Sequence, residues 1–380
     1  MSDTDANSQP DQPGRSVDDG KGRVFPCEQC GADLEFHIGQ QTLKCPFCGH
    51  EKLIELATDA EITEQDFHAM LSKVREWQQQ SDGDGPSGQS EVRCEGCGAN
   101  VVFVGSLTSS ECPYCGAPIQ RDKVHDSPKR IPVHGLLPFQ VEKNKARLNL
   151  SEWVRSRWFA PNEFLKRGVE GRFNGVYLPF WTYDSMTFSR YRGERGDHYY
   201  VTVTENGQSR QEQRTAWTSV SGHHQRFFDD VLALATKKMN RDLMDGLEPW
   251  PLEKLKPFTQ EMLAGFMART YEVELDEGFQ IARKRIDAGI ANEVRGLIGG
   301  DVQRISEIKT RYDALTFKHL LLPVWLLAYR YGDKSFQVLV NAVTGEVQGE
   351  RPYSFWKITF AVLLALAVVG AFVYFQQHGR

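Results

Sequence analysis

The first clear periodicity along the chain is helical. Phe67, Met70, Leu71, Val74 and Trp77 recur at helix spacing behind Thr63 and Asp66, a capping-box-like pair, which predicts an amphipathic helix within 57–79. Strand signals dominate further on. YYVTVT (199–204) and FQVLVNAVTGEVQG (336–349), with turn dipeptides at Asn206-Gly207 and Thr344-Gly345, predict antiparallel hairpins. Asn341 and Gly345 read as turn residues within the second of these. Two blocks also resemble each other: GVYLPFWTYDSMTFSRYRGERGD (175–197) and HLLLPVWLLAYRYGDKSF (319–336). Each follows a segment of helical character, Leu148 to Arg167 before the first and Phe279 to Tyr312 before the second. The fold class expected for 131–353 is therefore an α+β body in two related halves, approximately 131–235 and 236–353.

The pattern changes at both ends. Residues 358–375, ITFAVLLALAVVGAFVYF, carry no charge, and at ~1.5 Å per residue they extend about 27 Å, close to a bilayer's hydrocarbon thickness. A C-terminal transmembrane helix over 355–375 is the expectation, with Trp356 and Tyr374 as interfacial aromatics and Lys357 snorkelling. Arg351 and Lys357 precede it and Arg380 follows, which places a tail-anchored, single-pass protein in the cell membrane with its body facing the cytoplasm. At the other end, residues 1–22 are polar, with five Asp, and read as a disordered leader. Residues 80–90, rich in Gly, Ser and Asp, read as a flexible linker.

Cysteine usage adds the first chemistry. All eight cysteines fall into Cys-x-x-Cys pairs, Cys27/Cys30, Cys45/Cys48, Cys94/Cys97 and Cys112/Cys115, and 14 residues separate the pairs within each set. Two such turns at the ends of a hairpin supply four thiolates to one ion, the tetrahedral shell that Zn2+ prefers. Gly31, Gly49, Gly98 and Gly116 each follow the second cysteine of a pair, where the backbone must turn back. Two small β zinc ribbons are expected, at 23–56 and 91–125, each holding one structural Zn2+ and free to move relative to the other. Disulfides require an oxidising compartment, and 1–22 contains no apolar run to serve as a signal peptide. A rubredoxin-like iron site uses similar turns but usually a longer insert. Thioredoxin-type redox chemistry needs one Cys-x-x-Cys at the start of a helix, whereas these pairs flank strand-like segments.

Charge is distributed unevenly. Residues 1–130 hold 22 acidic against 12 basic side chains, and residues 131–350 hold 28 against 30. Phosphate neutralisation dominates nucleic-acid affinity, so an acidic ribbon region disfavours nucleic acid and favours protein partners. One counter-signal lies at 143–173, where eight Lys/Arg against three Glu are interleaved with Trp153, Trp158, Phe159, Phe164 and Phe173. Such a mixture can stack on bases or lie on anionic lipid, but core-facing aromatics with a solvated charged face explain it better.

Catalytic signatures are absent. No phosphate loop, H-E-x-x-H helix or G-x-S-x-G elbow occurs, which excludes P-loop ATPase or helicase chemistry. His223, His224 and Asp229 form the one polar cluster that could bind a metal or do acid/base work, and a hairpin turn leading to a capped helix accounts for it better.

Taken in order, the paired C-x-x-C…C-P-[FY]-C-G ribbons, LLPF (136–139), YLPFW (177–181), WTSVSG (217–222) with FDDV (228–231), LLPVW (321–325), VNAVTGEVQGERP (340–352) and the apolar C-terminal segment resemble a group of uncharacterised bacterial tandem zinc-ribbon membrane proteins. Members are often labelled primosomal protein N′ (replication factor Y) helicase-like. The resemblance implies metal ligation by the eight cysteines and no catalytic residue, since the helicase motifs are missing. The expected function is a membrane-anchored zinc-binding scaffold or adaptor that recruits protein partners through its ribbons. The alternatives are a replication-related nucleic-acid-binding protein and an enzyme with an unrecognised site in the body.

Overall fold

The computed structural model of the chain describes residues 25–40, 42–55, 61–80, 90–93, 100–102, 109–111, 118–120, 124–126, 130–158, 173–205, 208–331, 334–350 and 353–378. At its start, β1 (Glu35–His37), β2 (Thr42–Lys44) and β3 (Glu51–Leu53) make a small antiparallel sheet. Then follow β4 (Gln65–Asp66), helix α1 (Phe67–Gln80), β5 (Ser90–Arg93), β6 (Asn100–Val102), the separate pair β7 (Ser109–Glu111) and β8 (Pro118–Gln120), β9 (Val124–Asp126), β10 (Gly135–Leu136) and helix α2 (Lys143–Arg155). Next come β11 (Phe173–Glu205), β12 (Gln208–Leu234), helix α3 (Arg241–Asp245), β13 (Lys256–Pro257) and β14 (Met267–Arg269). Helix α4 (Leu275–Ile298), β15 (Val302–Tyr331), β16 (Lys334–Asn341), β17 (Val347–Gly349) and helix α5 (Phe355–His378) complete the chain. All strands from β4 onward except β7 and β8 join one sheet of twelve.

Three strands of 33, 27 and 30 residues dominate that sheet: β11, β12 and β15. Their Val, Thr, Tyr and Phe content suits a pleated surface, and β11 lies between the other two, antiparallel to both. Strands from both sides of the 235/236 position join in one sheet, so the body is sheet-dominated rather than a balanced α+β pair of halves. The physical reason is that the two similar sequence blocks pair with each other along β11 and β15.

Helix α4 covers one face of the long strands. Ile286, Ile290, Val294 and Ile298, four residues apart, form a buried stripe against Tyr191 and Phe228. The helix stops at Gly299 and Gly300, both at positive φ, and the chain re-enters as β15. The helical reading from Phe279 to Tyr312 is thereby corrected: its second part, 302–312, is strand. Helix α2 likewise starts earlier than expected and stops at Arg155. Helix α1 begins at Phe67, where Asp66 Oδ1 accepts the Ala69 N–H at 2.6 Å. Its Phe67, Met70, Leu71, Val74 and Trp77 pack with Tyr183, Phe279 and Phe317.

The C-terminal expectation is corrected as well. A helix forms there, α5, yet among the described residues no helix is long and apolar enough to cross a membrane. The transmembrane segment at 355–375, the tail-anchored single-pass topology and the cell-membrane placement with a cytoplasm-facing body are therefore not sustained. The apolar side chains of α5 from Phe360 to Val369 are largely exposed.

The first ribbon is not a mobile appendage. Phe25, Leu34, Phe36 and Leu43 share one core with Phe139, Tyr177 and Trp325 of the body. Phe36 N–H donates to Ala264 O at 3.0 Å, and Gly39 N–H to Phe139 O at 3.4 Å. A 23-residue hairpin buries little surface of its own, and docking supplies the rest. Strands β5, β6 and β9, from the region of the second ribbon, extend the main sheet by pairing β6 with β14.

Candidate metal centre and a buried charge cluster

Two tight turns build the metal centre. In the first, Cys27 N–H donates to Ala32 O at 2.7 Å and Gly31 N–H to Cys27 O at 2.8 Å; in the second, Cys45 N–H donates to His50 O at 2.8 Å and Gly49 N–H to Cys45 O at 3.0 Å. Gly31 and Gly49 take φ of 73° and 76°, a backbone that side chains disfavour, which explains a glycine after each pair. The β1–β2 hairpin brings the turns together. Cys27 Sγ lies 3.5 Å from Cys48 Sγ and Cys30 Sγ 3.4 Å from Cys45 Sγ, and all four sulfurs fall within 4.8 Å of one another. Four cysteines so placed can hold a metal ion. A tetrahedral centre with metal–sulfur bonds of about 2.3 Å separates its sulfurs by about 3.8 Å, so the cage has the size such an ion requires.

Cys27 and Cys45 are buried and Cys30 and Cys48 are exposed. The Cys48 N–H donates to the Cys45 sulfur and holds that thiol down to about 6 against the opposing effect of burial. Backbone N–H groups aimed at sulfur favour the thiolate, which is the ligating form. Cys94, Cys97, Cys112 and Cys115, the ligands expected of the second ribbon, lie outside the described residues, as do the leader 1–22 and most of the 80–90 linker.

A second constellation sits where the long strands kink. Register shifts flank Asp184 on both sides, between Tyr183 and Ser185 against β12 and between Asp184 and Met186 against β15. Asp230 and Ala314, one on each neighbouring strand, take φ of 49° and 50°. These are the only non-glycine residues at positive φ among the described residues, and bulges at both flanks re-aim the side chains. Asp184 is 1% exposed; its Oδ1 accepts the Asp230 N–H and its Oδ2 the Thr316 hydroxyl at 3.4 Å. Lys318 Nζ lies 2.8 Å from Asp230, 3.4 Å from Glu64 and 3.5 Å from Asp184.

Burial raises the Asp184 carboxyl to about 6, although the Asp230 N–H and Lys318 oppose it. Burial works against the Lys318 ammonium, but Asp230, Asp184 and Glu64 together hold its pKa above the usual lysine value. Carboxylate oxygens of Glu64, Asp184 and Asp229 also lie within 4.8 Å of one another. Lys318 already supplies a cation there, so this is a closed charge network that joins α1's entry to three long strands.

The sequence-predicted cluster does not assemble as one site. Asp229 joins the Asp184 network, while His224 Nε2 meets Glu293 Oε2 of α4 at 2.6 Å and His223 lines the opposite face of the sheet. His224 is held below the ordinary histidine range by burial and by Arg226. Sequence reasoning missed Asp184 and Lys318, though a lone acid in YLPFWTYDSMTF and a lone cation in TFKHLLLPVW stand out in otherwise apolar strands. In the 143–173 segment, Phe173 is buried, Trp153 packs on the core with Arg157 stacked at 4.7 Å, and Trp158 is exposed. Phe159 and Phe164 lie outside the described residues.

Among known proteins, the chain is 27% identical to the uncharacterized protein YdjG of Bacillus subtilis (strain 168), over 88% of this chain and 91% of that protein. No family model matches the chain. No solved structure matches it.

Proposed function

We propose that the chain is a zinc-binding scaffold that recruits a protein partner through its ribbons, and that each ribbon holds one structural Zn2+. The observation that carries this reading is the four-sulfur cage of Cys27, Cys30, Cys45 and Cys48 on a ribbon whose back is fixed to the body. Four thiolates in a closed set leave no open coordination position, so the ion acts on folding and not on a substrate. The outward side of the same ribbon supports recruitment. Phe47, between the second pair of cysteines, is 81% exposed, and Leu53 on the edge strand β3 is 74% exposed. A groove of about 540 Å3 at Leu53 has a floor that includes Leu34, Leu43 and Ile54, with Glu51, Lys52, Glu55 and Glu261 also lining it. Two large exposed apolar side chains with a groove at one of them are a feature of protein-binding surfaces.

Elemental analysis tests the metal assignment, with two zinc ions per chain expected. A protein carrying other metals, or fewer than two zinc ions, contradicts it. Recruitment is tested by crosslinking pulldown with the full chain and with Phe47→Asp/Leu53→Asp. Partners that survive this double substitution unchanged place the recruiting surface elsewhere.

A further inference from the structure

One face of the β12–β11–β15 strands is covered by α4, and the opposite face is open. On that open face the register sets like charges side by side. Arg190 lies directly opposite His223 on β12 and directly opposite Lys309 on β15, a row of three basic side chains across three adjacent strands. The next row on the same face is Gln225, Phe188 and Arg311. Like charges directly opposite in a sheet are destabilising, and Glu307, opposite Arg192 and paired with Lys309, offsets only part of the positive charge that this register concentrates. A groove of about 600 Å3 lies over these two rows, lined by Phe188, Arg190, His223, Gln225, Lys309 and Arg311.

The positive strip continues along the face. Arg192 follows Arg190 two residues on, and Arg304 stacks over Trp217 at 3.9 Å, as Arg311 stacks over Phe188 at 5.0 Å. From Met186 to Gly196 the strip extends about 33 Å at ~3.3 Å per residue. Three acids share it: Glu307 pairs with Lys309 at 2.7 Å, Asp313 with Arg311 at 2.8 Å and Glu194 with Arg304 at 3.7 Å. Arg190 and Arg192 have no ion-pair partner among the described residues. The Lys309, Arg311 and Arg304 side chains are 73%, 70% and 63% exposed. Phe227, opposite Met186, is 53% exposed at one end of the strip.

We propose that this strip binds single-stranded nucleic acid, with the His223–Arg190–Lys309 row on phosphates and the Arg311–Phe188 and Arg304–Trp217 stacks under bases. An extended run of cations matches a polyanion better than a compact ligand, and flat guanidinium and aromatic surfaces on an open sheet are the platforms on which unpaired bases stack. The acidic balance of residues 1–130 does not bear on this face, which belongs entirely to the body. The scaffold reading does not require this activity; the strip adds a second ligand to it.

The test is fluorescence anisotropy of labelled 20-nucleotide oligothymidylate and oligouridylate with the full chain, from about 50 to 200 mM salt. Binding is expected to weaken as salt rises. Arg190→Gln/Lys309→Gln should weaken binding at least about tenfold at the lowest salt and reduce the log–log salt slope by about 1.4, at ~0.7 per phosphate released from a single strand. The same double variant should melt close to the parent, because Lys309 gives up only an exposed pair with Glu307. The proposal is overturned by absent binding at 50 mM salt or by unchanged binding of the variant. Binding to phosphatidylglycerol vesicles in place of both oligonucleotides overturns it as well.

Discussion

Leu178 lies directly opposite Leu322, and the strands that carry them run antiparallel. Each leucine precedes a proline, Pro179 and Pro323, so the two Leu-Pro blocks are related by a local two-fold axis between the leucines. Proline cannot donate to a sheet, yet both sit within central strands. Each keeps its remaining backbone group, the carbonyl, paired in the same way: Pro179 O accepts the Ala235 N–H at 3.0 Å, and Pro323 O accepts the Ala342 N–H at 3.1 Å. Ala235 and Ala342 follow β12 and β16, the hairpin partners of the two central strands. Both leucines are fully buried. Leu178→Ala and Leu322→Ala should each cost about 2–5 kcal/mol in denaturant unfolding. The double variant should depart from additivity by at least about 0.5 kcal/mol, because the two cavities merge. Additive costs would show that the pair does not act as one unit.

The metal centre shares its core with the body, which changes what metal loss does. Cys27 and Cys45 are buried among Leu34, Phe36, Tyr177 and Trp325. Cys45→Ser should therefore lose metal and also lower the melting temperature of the body, by at least about 5 °C. Near-ultraviolet circular dichroism reports on the buried body tryptophans Trp181 and Trp325 during chelation. An unchanged body signal with the metal gone would restore an independent ribbon.

The sequence made the ribbon legible because ligand chemistry is local: two Cys-x-x-Cys turns, each with its glycine, are enough to define the cage. It also revealed the repeat, since Leu-Pro-x-Trp recurs in recognisable form. It did not reveal that the repeated strands pair with each other, because register across 144 positions leaves no local trace. Helical periodicity ran past Ile298 because Val302, Ile305, Ile308 and Tyr312 recur three to four positions apart, as on a helix face, and a strand accommodates that spacing only through the bulge opposite Arg192 and Gly193. Asp184 and Lys318 looked like exceptions in apolar strands, and their partnership depends on bulges that no pattern announces. The basic row of Arg190, His223 and Lys309 is invisible for the same reason, since its members lie 33 and 119 positions from Arg190 along the chain.

Asn341 does more than turn the chain. Its Oδ1 accepts the Val343 and Thr344 N–H groups at 2.9 and 3.1 Å, while its Nδ2 donates to Leu247 O at 3.1 Å, with the residue fully buried. Asn341→Ala leaves one buried carbonyl and two partly buried N–H groups without this partner and should cost about 2–4 kcal/mol. Asn341→Asp keeps the turn but sets a carboxylate against the Leu247 carbonyl, so it should be no better. Equilibrium unfolding in urea measures both, and a cost under about 1 kcal/mol for Asn341→Ala would show that water takes the amide's place.

Asp184 should leave a signature in the pH dependence of stability. Its carboxyl is raised to about 6 by burial, from about 3.8 in the unfolded chain. Between these values the folded protein holds a proton that the unfolded chain has released, so stability falls as pH rises through that window and the penalty is complete above about 6. The difference corresponds to about 3 kcal/mol at most. Asp184→Asn removes the titration while keeping an acceptor for the Asp230 N–H, and Lys318 retains Asp230 and Glu64. Relative to the parent, the variant should therefore gain stability from pH 4 to pH 7, and the gain should level off above pH 7. The window also separates Asp184 from carboxylates held low by ion pairs, such as Glu51 beside Lys44, whose contribution runs in the opposite sense. A constant difference between the two proteins across this range would place the Asp184 titration outside it.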